Sequence, residues 1–147
     1  MDAQEKRQIA QAFITTLPHA RALGITLQDI GEGVATMSMP YSSDLVGDPE
    51  TGVIHGGAVS TLMDTCSGAA VMSHPDAPQM TATIDLRIEY MRPAVPGRAI
   101  TATAECHHIT RSVAFVRVVA VDGEGGDPGD DARPVATATG AFTADHR

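Results

Sequence analysis

His55, Gly56 and Gly57 form a short turn directly before an apolar segment that contains a single carboxylate, Asp64. The glycines lack a Cβ, so a substrate can come close to the first N–H groups of a helix that begins there. Those N–H groups and the helix dipole favour the oxyanion that forms when a carbonyl is attacked. A carboxylate can attack such a carbonyl or take a proton from water. The turn and the acid therefore indicate acyl-transfer chemistry.

The segment after the turn is predicted to be a helix from Ala58 to about Met72. It has no proline and no charge except Asp64, and its apolar residues recur at the spacing of one helical face: Val59, Leu62, Met63, Cys66 and Ala70. Asp64 falls on another face, among small or polar residues. A carboxylate there needs a partner or a function. From the acid alone, two interpretations are about equally supported. Asp64 either hydrogen-bonds Ser60, Thr61 or a backbone amide, or it takes part in catalysis. The glycine turn favours catalysis.

Gly56 and Asp64 are eight residues apart, which corresponds to about 12 Å along an α-helix. One chain cannot bring both groups to the same carbonyl. If the Gly56 amide holds the oxyanion while Asp64 attacks or activates water, the two groups must come from different subunits with their helices side by side. The spacing therefore predicts a catalytic homodimer.

Two further blocks accompany the glycine turn. In residues 83–94 a predicted strand ends in Tyr90-Met91-Arg92-Pro93, and residues 111–115 are a basic, small and apolar run. Together with the histidine, the two glycines and the acid nine residues after the histidine, these blocks resemble the hotdog-fold acyl-CoA thioesterases of the phenylacetate-degradation, or PaaI-like, type. The resemblance extends from about Leu23 to Phe142. It implies thioester hydrolysis by a homodimer, often paired into a dimer of dimers.

Patterning along the chain agrees with that family. Besides the central helix we predict an N-terminal helix over residues 3–17, a hairpin within 22–39, a loop over 40–52, and strands over 81–90, 99–108, 113–122 and 134–142. Residues 123–131 are predicted to be a glycine-rich, acidic loop without a catalytic role. One helix within a run of antiparallel strands indicates an α+β fold. The resemblance specifies it as a hotdog fold, with an antiparallel sheet of five to six strands wrapped around a long central helix and an N-terminal helix.

Strict alternation is predicted for residues 81–90. One face of that strand would carry apolar side chains and the other polar ones: Ala82, Ile84, Leu86, Ile88 and Tyr90 opposite Thr83, Asp85, Arg87 and Glu89. A half-buried strand is expected from this pattern.

Catalytic roles are implied by the resemblance. Asp64 is expected to act as nucleophile or as general base toward water, and the amide of Gly56 to polarise the thioester carbonyl. His55 would orient the turn, and Thr83 would assist the attacking water.

Substrate-binding roles are expected for Gly57, Asp48, Arg111, Ser112 and Arg92. Many relatives of this type carry an asparagine six residues before the histidine, where this chain has Pro49. Asp48 is expected to occupy the equivalent space. Arg111 and Arg92, with Arg87 and Arg98, are the cations near the predicted site that could meet the phosphates of coenzyme A.

Composition limits the remaining possibilities. The 147 residues, of which 43% are hydrophobic, suit a single domain over residues 1–147 with its core at about 21–143. A net charge of −8 argues against a nucleic-acid partner. No apolar run approaches a membrane span or a signal sequence, so a cytoplasmic location without a membrane partner is expected. Cys66 and Cys106 have no spacing of a zinc site or a disulfide framework and are expected to be buried thiols.

Neither a metal nor a cofactor is expected, apart from coenzyme A as part of the substrate. His107 and His108 are adjacent, and adjacent strand residues point to opposite faces, so they are not expected to share a metal ion.

Three functions remain open. The leading one is hydrolysis of an acyl-CoA thioester with a small aromatic or short-to-medium aliphatic acyl group. The alternatives are a hotdog dehydratase or hydratase, and a non-catalytic acyl-CoA sensor.

Overall fold

An antiparallel six-stranded sheet wraps around one long helix in the computed structural model, which describes residues 2–123 and 133–146. The helices are α1 (Ala3–Thr16), α2 (Pro18–Ala22) and α3 (Gly56–Ser73). The strands are β1 (Thr26–Gly31), β2 (Val34–Met39), β3 (Val46–Asp48), β4 (Val53–Ile54), β5 (Thr83–Tyr90), β6 (Ile100–Ile109), β7 (Val113–Asp122) and β8 (Ala136–Thr143). The predicted order of two strands, a long helix and four strands is confirmed for the main sheet.

The strands of the main sheet follow the order β1-β2-β6-β7-β8-β5. Helix α3 packs against β2, β6 and β7, so it lies across the middle of one sheet face. Its apolar stripe supplies side chains with no exposed surface, among them Leu62, Met63 and Cys66. Burial of these side chains is the main favourable contribution to the fold, at about 25 cal/mol per Å² of apolar surface. The predicted α+β arrangement is therefore the observed one.

Both cysteines are buried and unpaired, as expected. The Cys66 thiol lies against the sheet and donates to the carbonyls of Ala35 and Ala102, at 3.2 and 3.4 Å. Burial raises the pKa of this thiol to about 12. Cys66 is thus an uncharged core residue and not a nucleophile.

Two predicted segments differ from the structure. The first strand was expected to begin near Ala22, but Pro18 begins the short helix α2 and β1 begins only at Thr26. Proline suits the first position of a helix because its fixed φ is helical and its missing N–H would have had no partner there. The segment 40–52, predicted to be a loop, also contains a 3-10 turn and β3, which pairs with β4 in a separate two-stranded ribbon.

The predicted alternation of β5 is wrong at its first residues. The pairing of β5 with β8 shifts register between Thr83 and Asp85, so Ile84 is an extra, bulged residue and is 57% exposed. The bulge reverses the side-chain direction before it, which turns Thr83 toward α3, the same side as Tyr90. Strict alternation would have placed these two side chains on opposite faces.

No helix among the described residues is long and apolar enough to cross a membrane. The predicted acidic loop at 123–131 lies outside the described residues, apart from Gly123.

Gly140 pairs with Leu86, close to the bulge, and we predict that Gly140→Ala destabilises the protein. A Cβ at this position would lie 2.6 Å from the Asp85 carbonyl oxygen and 2.8 Å from a methyl group of Leu86. We expect a loss of about 1–3 kcal/mol in the free energy of unfolding, as for other overpacked sites. Chemical denaturation measures it. The control is Thr139→Ala at the exposed neighbouring position, where a change within about 0.5 kcal/mol is expected; equal effects of both variants would contradict the prediction.

Candidate active site

His55 caps the N-terminus of α3 and accepts hydrogen bonds from most of the N–H groups in the first turn of the helix. Its Nδ1 accepts a hydrogen bond from the Gly57 amide at 2.7 Å, and its carbonyl accepts from the amides of Ala58 and Val59 at 3.0 and 3.4 Å. Since Nδ1 accepts this bond, it carries no proton. The amide of Gly56 has no hydrogen-bond partner among the described residues. The cap therefore leaves one N–H group, at the positive end of the helix dipole, available to a ligand.

The β3–β4 ribbon holds the capping histidine. The His55 amide donates to the Leu45 carbonyl at 2.8 Å. A Cβ at Gly47 would lie 2.8 Å from the His55 Cα, so only glycine allows the two backbone segments to come this close. The sequence pattern missed this contact, because β3 and β4 are too short to show a strand period.

Asp64 has its hydrogen-bond partner on the sheet and not on its own helix. The Thr83 hydroxyl donates to Asp64 Oδ1 at 2.6 Å. The helix hydroxyls of Ser60 and Thr61 donate instead to the Gly57 carbonyl, each at 2.9 Å. Asp64 is half-buried, and Oδ2 has no partner within the described ranges. One carboxylate oxygen is thus fixed by threonine while the other can meet water or substrate.

Tyr90 is a site residue that the sequence reasoning placed only in a strand. Its hydroxyl donates to the Gly56 carbonyl at 2.9 Å. A Cβ at Gly56 would lie 3.4 Å from the Tyr90 ring atoms Cε1 and Cζ, so the ring packs against the Gly56 α-carbon. The signal was present as the aromatic residue that ends the second block, but a role in the glycine turn requires the tertiary fold.

The predicted site residues divide into two groups at opposite ends of β5. Gly56 and its neighbours lie at the Tyr90 end, and Asp64 lies at the Thr83 end. The turn with Arg111 and Ser112 is also at the Thr83 end, because the register aligns the start of β7 with the end of β8 and the end of β8 with the start of β5. One chain therefore does not bring the glycine amide and the carboxylate together.

Asp48 uses its carboxylate within its own turn. Its oxygens accept from the Thr51 hydroxyl at 2.8 Å and the Glu50 amide at 3.0 Å. These hydrogen bonds, the one from Thr51 first, lower the pKa of this exposed carboxyl group. The structure gives Asp48 a local, turn-forming contact.

Arg92 is bound to Asp122. Its guanidinium donates to both carboxylate oxygens, at 2.6 and 2.9 Å, and also to the carbonyls of Pro93 and Arg133. The hydrogen bond from Arg92 lowers the pKa of Asp122 to about 2. Arg92 is therefore paired within the protein, and its charge is neutralised.

A groove of about 850 Å³ lies beside β4, just before the capping histidine. Arg92 lines it with two further arginines, Arg98 and Arg133, and with Thr51 and Val53. The side chains of Arg98 and Arg133 form no ion pair or hydrogen bond within the described part of the chain. Among the described residues these two cations of the groove therefore have no acidic partner, and the sequence reasoning considered only Arg98.

Comparison with known proteins agrees with this fold. The family model described as the thioesterase superfamily matches residues 51–128. A medium/long-chain acyl-CoA thioesterase of Salmonella typhimurium, YigI, is 27% identical over 128 residues, which cover 78% of this chain and 82% of that protein. The acyl-coenzyme A thioesterase PaaI of Escherichia coli is 32% identical over 101 residues, 69% of each chain.

Solved structures show the same architecture. A crystal structure of a Pseudomonas aeruginosa protein superposes with a TM-score of 0.77 at 37% identity, covering 93% of this chain and 97% of that one. The structure of Escherichia coli PaaI superposes with a TM-score of 0.79 at 24% identity, covering 97% and 94% of the two chains. The chain therefore belongs to the thioesterase superfamily and is a hotdog-fold thioester hydrolase of the PaaI-like type.

Proposed function

We propose that this protein hydrolyses acyl-CoA thioesters at a site shared between two copies of the chain. The observation that carries the proposal is the division of the site along β5, with the unpaired Gly56 amide at one end and the Asp64 carboxylate at the other. Each group alone is half of an acyl-transfer site. A symmetric dimer supplies the other half.

The outer edge of β5 is the surface that suits such a dimer. Within residues 2–123 and 133–146, β5 is the last strand of the main sheet and pairs with β8 alone. Its edge is flanked by exposed apolar side chains, Met80, Ile84 and Met91. An unpaired edge with apolar side chains favours association with another strand.

Two-fold symmetry then joins the two halves of the site. In a dimer with this symmetry the same strand from each copy pairs antiparallel with itself. Pairing about the middle of β5 places Thr83 of one chain opposite Tyr90 of the partner subunit. Asp64 is hydrogen-bonded to Thr83, and Gly56 is hydrogen-bonded to Tyr90. Asp64 of one chain therefore faces Gly56 of the partner subunit. The same operation places Arg111 and Ser112 at the same end of the joined sheet as the partner's groove of arginines.

The reaction follows from the two groups. Asp64 takes a proton from water, the water oxygen attacks the thioester carbonyl carbon, and the amide of Gly56 of the partner subunit donates to the resulting oxyanion. Collapse of this intermediate breaks the C–S bond, and the CoA thiolate takes the proton from Asp64. In the alternative route Asp64 attacks the carbonyl directly, and the C–S bond breaks to release the CoA thiolate. Water then hydrolyses the acyl-enzyme anhydride to the free acid and the Asp64 carboxylate, and its second proton goes to the thiolate. Thr83 fixes the carboxylate in both routes.

The groove of arginines supports coenzyme A as the thiol part of the substrate. Arg98 and Arg133 supply positive charge that no acid pairs with in the described part of the chain, although the net charge of the chain is −8. Phosphate groups are strong acceptors for guanidinium donors. We propose that the CoA phosphates bind there. The chain has three Phe, two Tyr and no Trp. We propose a small aromatic or short-to-medium aliphatic acyl group as the substrate class.

Asp64→Asn is expected to abolish turnover. Asparagine keeps the shape and can still accept from Thr83, but it can neither take a proton nor attack, so we expect kcat to fall about a thousand-fold or more. Thiol release from a panel of aryl-CoA and alkyl-CoA thioesters measures it. The control is Asp76→Asn, an exposed acid in the loop after α3, which should keep the wild-type rate. Near-normal turnover by Asp64→Asn would remove the carboxylate from the mechanism; saturable acyl-CoA binding without any release by the wild type would favour a sensor.

Mixed dimers test the shared site. Gly56→Pro removes the amide donor and is tolerated at the first position of a helix, where the preceding His55 is already extended. Homodimers of Gly56→Pro and of Asp64→Ala should both be inactive. Unfolding and refolding them together should restore roughly a quarter of the wild-type rate, since about half of the dimers are mixed and each has one complete site. A dimer of dimers does not change this ratio, because the site lies within each dimer; no recovery on mixing would place the whole site within one chain.

Arg98→Ser combined with Arg133→Ser should weaken binding of CoA thioesters specifically. Loss of two charge-assisted contacts to phosphate should raise KM roughly ten-fold or more, with a smaller effect on kcat. The matching pantetheine thioester lacks the nucleotide, so its kcat/KM should not change. Arg21→Ser, an exposed arginine in α2, is the control. An equal loss of kcat/KM with both thioesters would show that the groove does not bind the nucleotide part of CoA.

A further inference from the structure

We infer that Tyr90 is a positioning residue for the oxyanion-binding amide of Gly56. This inference rests on the proposed function of that amide and adds a residue to the site. Three observations about Tyr90 carry it: its contact with the Gly56 carbonyl, its contact with the Gly56 α-carbon, and its place at the end of β5.

Gly56 needs an external restraint. The amide that donates to an oxyanion must point in a fixed direction, because its stabilising effect depends on orientation before the reaction begins. Glycine has no Cβ and its φ and ψ angles are the least restricted of any residue. At the first position of a helix, the amide of Gly56 has no hydrogen bond of its own within the described ranges. The N–H bond of Gly56 shares a peptide plane with the His55 carbonyl, which the Ala58 and Val59 amides hold. The Gly56 α-carbon and carbonyl on the other side of that bond have no side chain of their own to hold them.

Tyr90 provides the restraint from two directions. Its hydroxyl donates to the Gly56 carbonyl oxygen at 2.9 Å, which limits rotation of the peptide group after Gly56. Its ring occupies the position beside the α-carbon, 3.4 Å from where a Cβ would be, which limits rotation about φ. The ring replaces the steric restriction that a side chain on residue 56 would have given. At the same time the amide side of Gly56 stays open.

The contact is not required for the core. The Tyr90 side chain is 53% exposed, and it lies at the end of an edge strand. The Tyr90 side chain therefore adds little to the free energy of unfolding, since one exposed hydrogen bond contributes only about 1 kcal/mol. In the proposed dimer the same ring faces Thr83 and Asp64 of the partner subunit, so it lies between the two halves of the site.

A matched pair of tyrosine variants tests the inference. The chain has two tyrosines, and each hydroxyl donates to a glycine carbonyl: Tyr90 to Gly56 at 2.9 Å and Tyr41 to Gly52 at 2.7 Å. Tyr90→Phe and Tyr41→Phe therefore delete the same kind of bond in two places. We expect Tyr90→Phe to lower kcat about ten-fold with KM changed less than two-fold, and Tyr41→Phe to leave kcat unchanged. Tyr90→Leu, which also removes the ring, should lower kcat further, while thermal melting of Tyr90→Phe stays close to wild type.

Three outcomes would overturn the inference. They are an unchanged kcat in Tyr90→Phe, a change confined to KM, and an equal loss of kcat in both phenylalanine variants. The proposed function fails separately, because it requires Asp64-dependent thiol release by the wild type whatever Tyr90 does.

A second measurement does not depend on turnover. The backbone amide resonance of Gly56 in a ¹⁵N-labelled sample should be single and sharp in the wild type and in Tyr41→Phe. It should broaden or split in Tyr90→Phe, because the amide then samples more than one orientation. An unchanged line shape in Tyr90→Phe would contradict a positioning role without any measurement of turnover.

Discussion

An α-helix begins with N–H groups that have no partner in the helix, and the architecture of this protein leaves one of them unused. His55 accepts from the Gly57 amide through its ring and from the next two amides through its carbonyl, so only the Gly56 amide remains without a partner in the described structure. An unsatisfied amide is a cost when buried and a binding site when open. The ribbon of β3 and β4 holds the histidine, and Tyr90 covers the other side of the glycine. Most of the unusual local features of the chain therefore surround a single N–H bond.

The second constraint is the length of the helix that follows. Eight residues of helix separate the amide from the carboxylate, about 12 Å. Asp64 therefore has its partner on the sheet, where the Thr83 hydroxyl donates to it. The fold resolves this separation by placing both groups along the same edge strand. In the proposed dimer, two-fold symmetry brings the carboxylate at one end of β5 to the amide at the other end of the partner's β5.

The β5 bulge links the two constraints. Tyr90 and Thr83 are seven positions apart, and seven positions in a regular strand place two side chains on opposite faces. The extra residue at Ile84 restores a common face, and Gly140 on the neighbouring strand leaves room for the displaced backbone. The Asp85 carboxylate accepts from the Ala141 amide at 3.0 Å, which satisfies a donor near the bulge. The β5 bulge thus allows the Thr83 hydroxyl to reach the Asp64 carboxylate.

The sequence by itself determined the elements with strong periods and the residues with unusual chemistry. α3, β2 and β7 followed from the spacing of their apolar residues, and the glycine turn with its acid identified the reaction class, because local sequence sets helix starts and periodic burial. Only the tertiary structure decided how these parts meet. Contacts between distant segments determine four features: the ribbon of β3 and β4, the bulge before Leu86, the ion pair of Arg92 with Asp122, and the hydrogen bond from Tyr90 to Gly56. Such contacts leave no period in the chain, since they are set by which strands become neighbours and how closely their backbones approach.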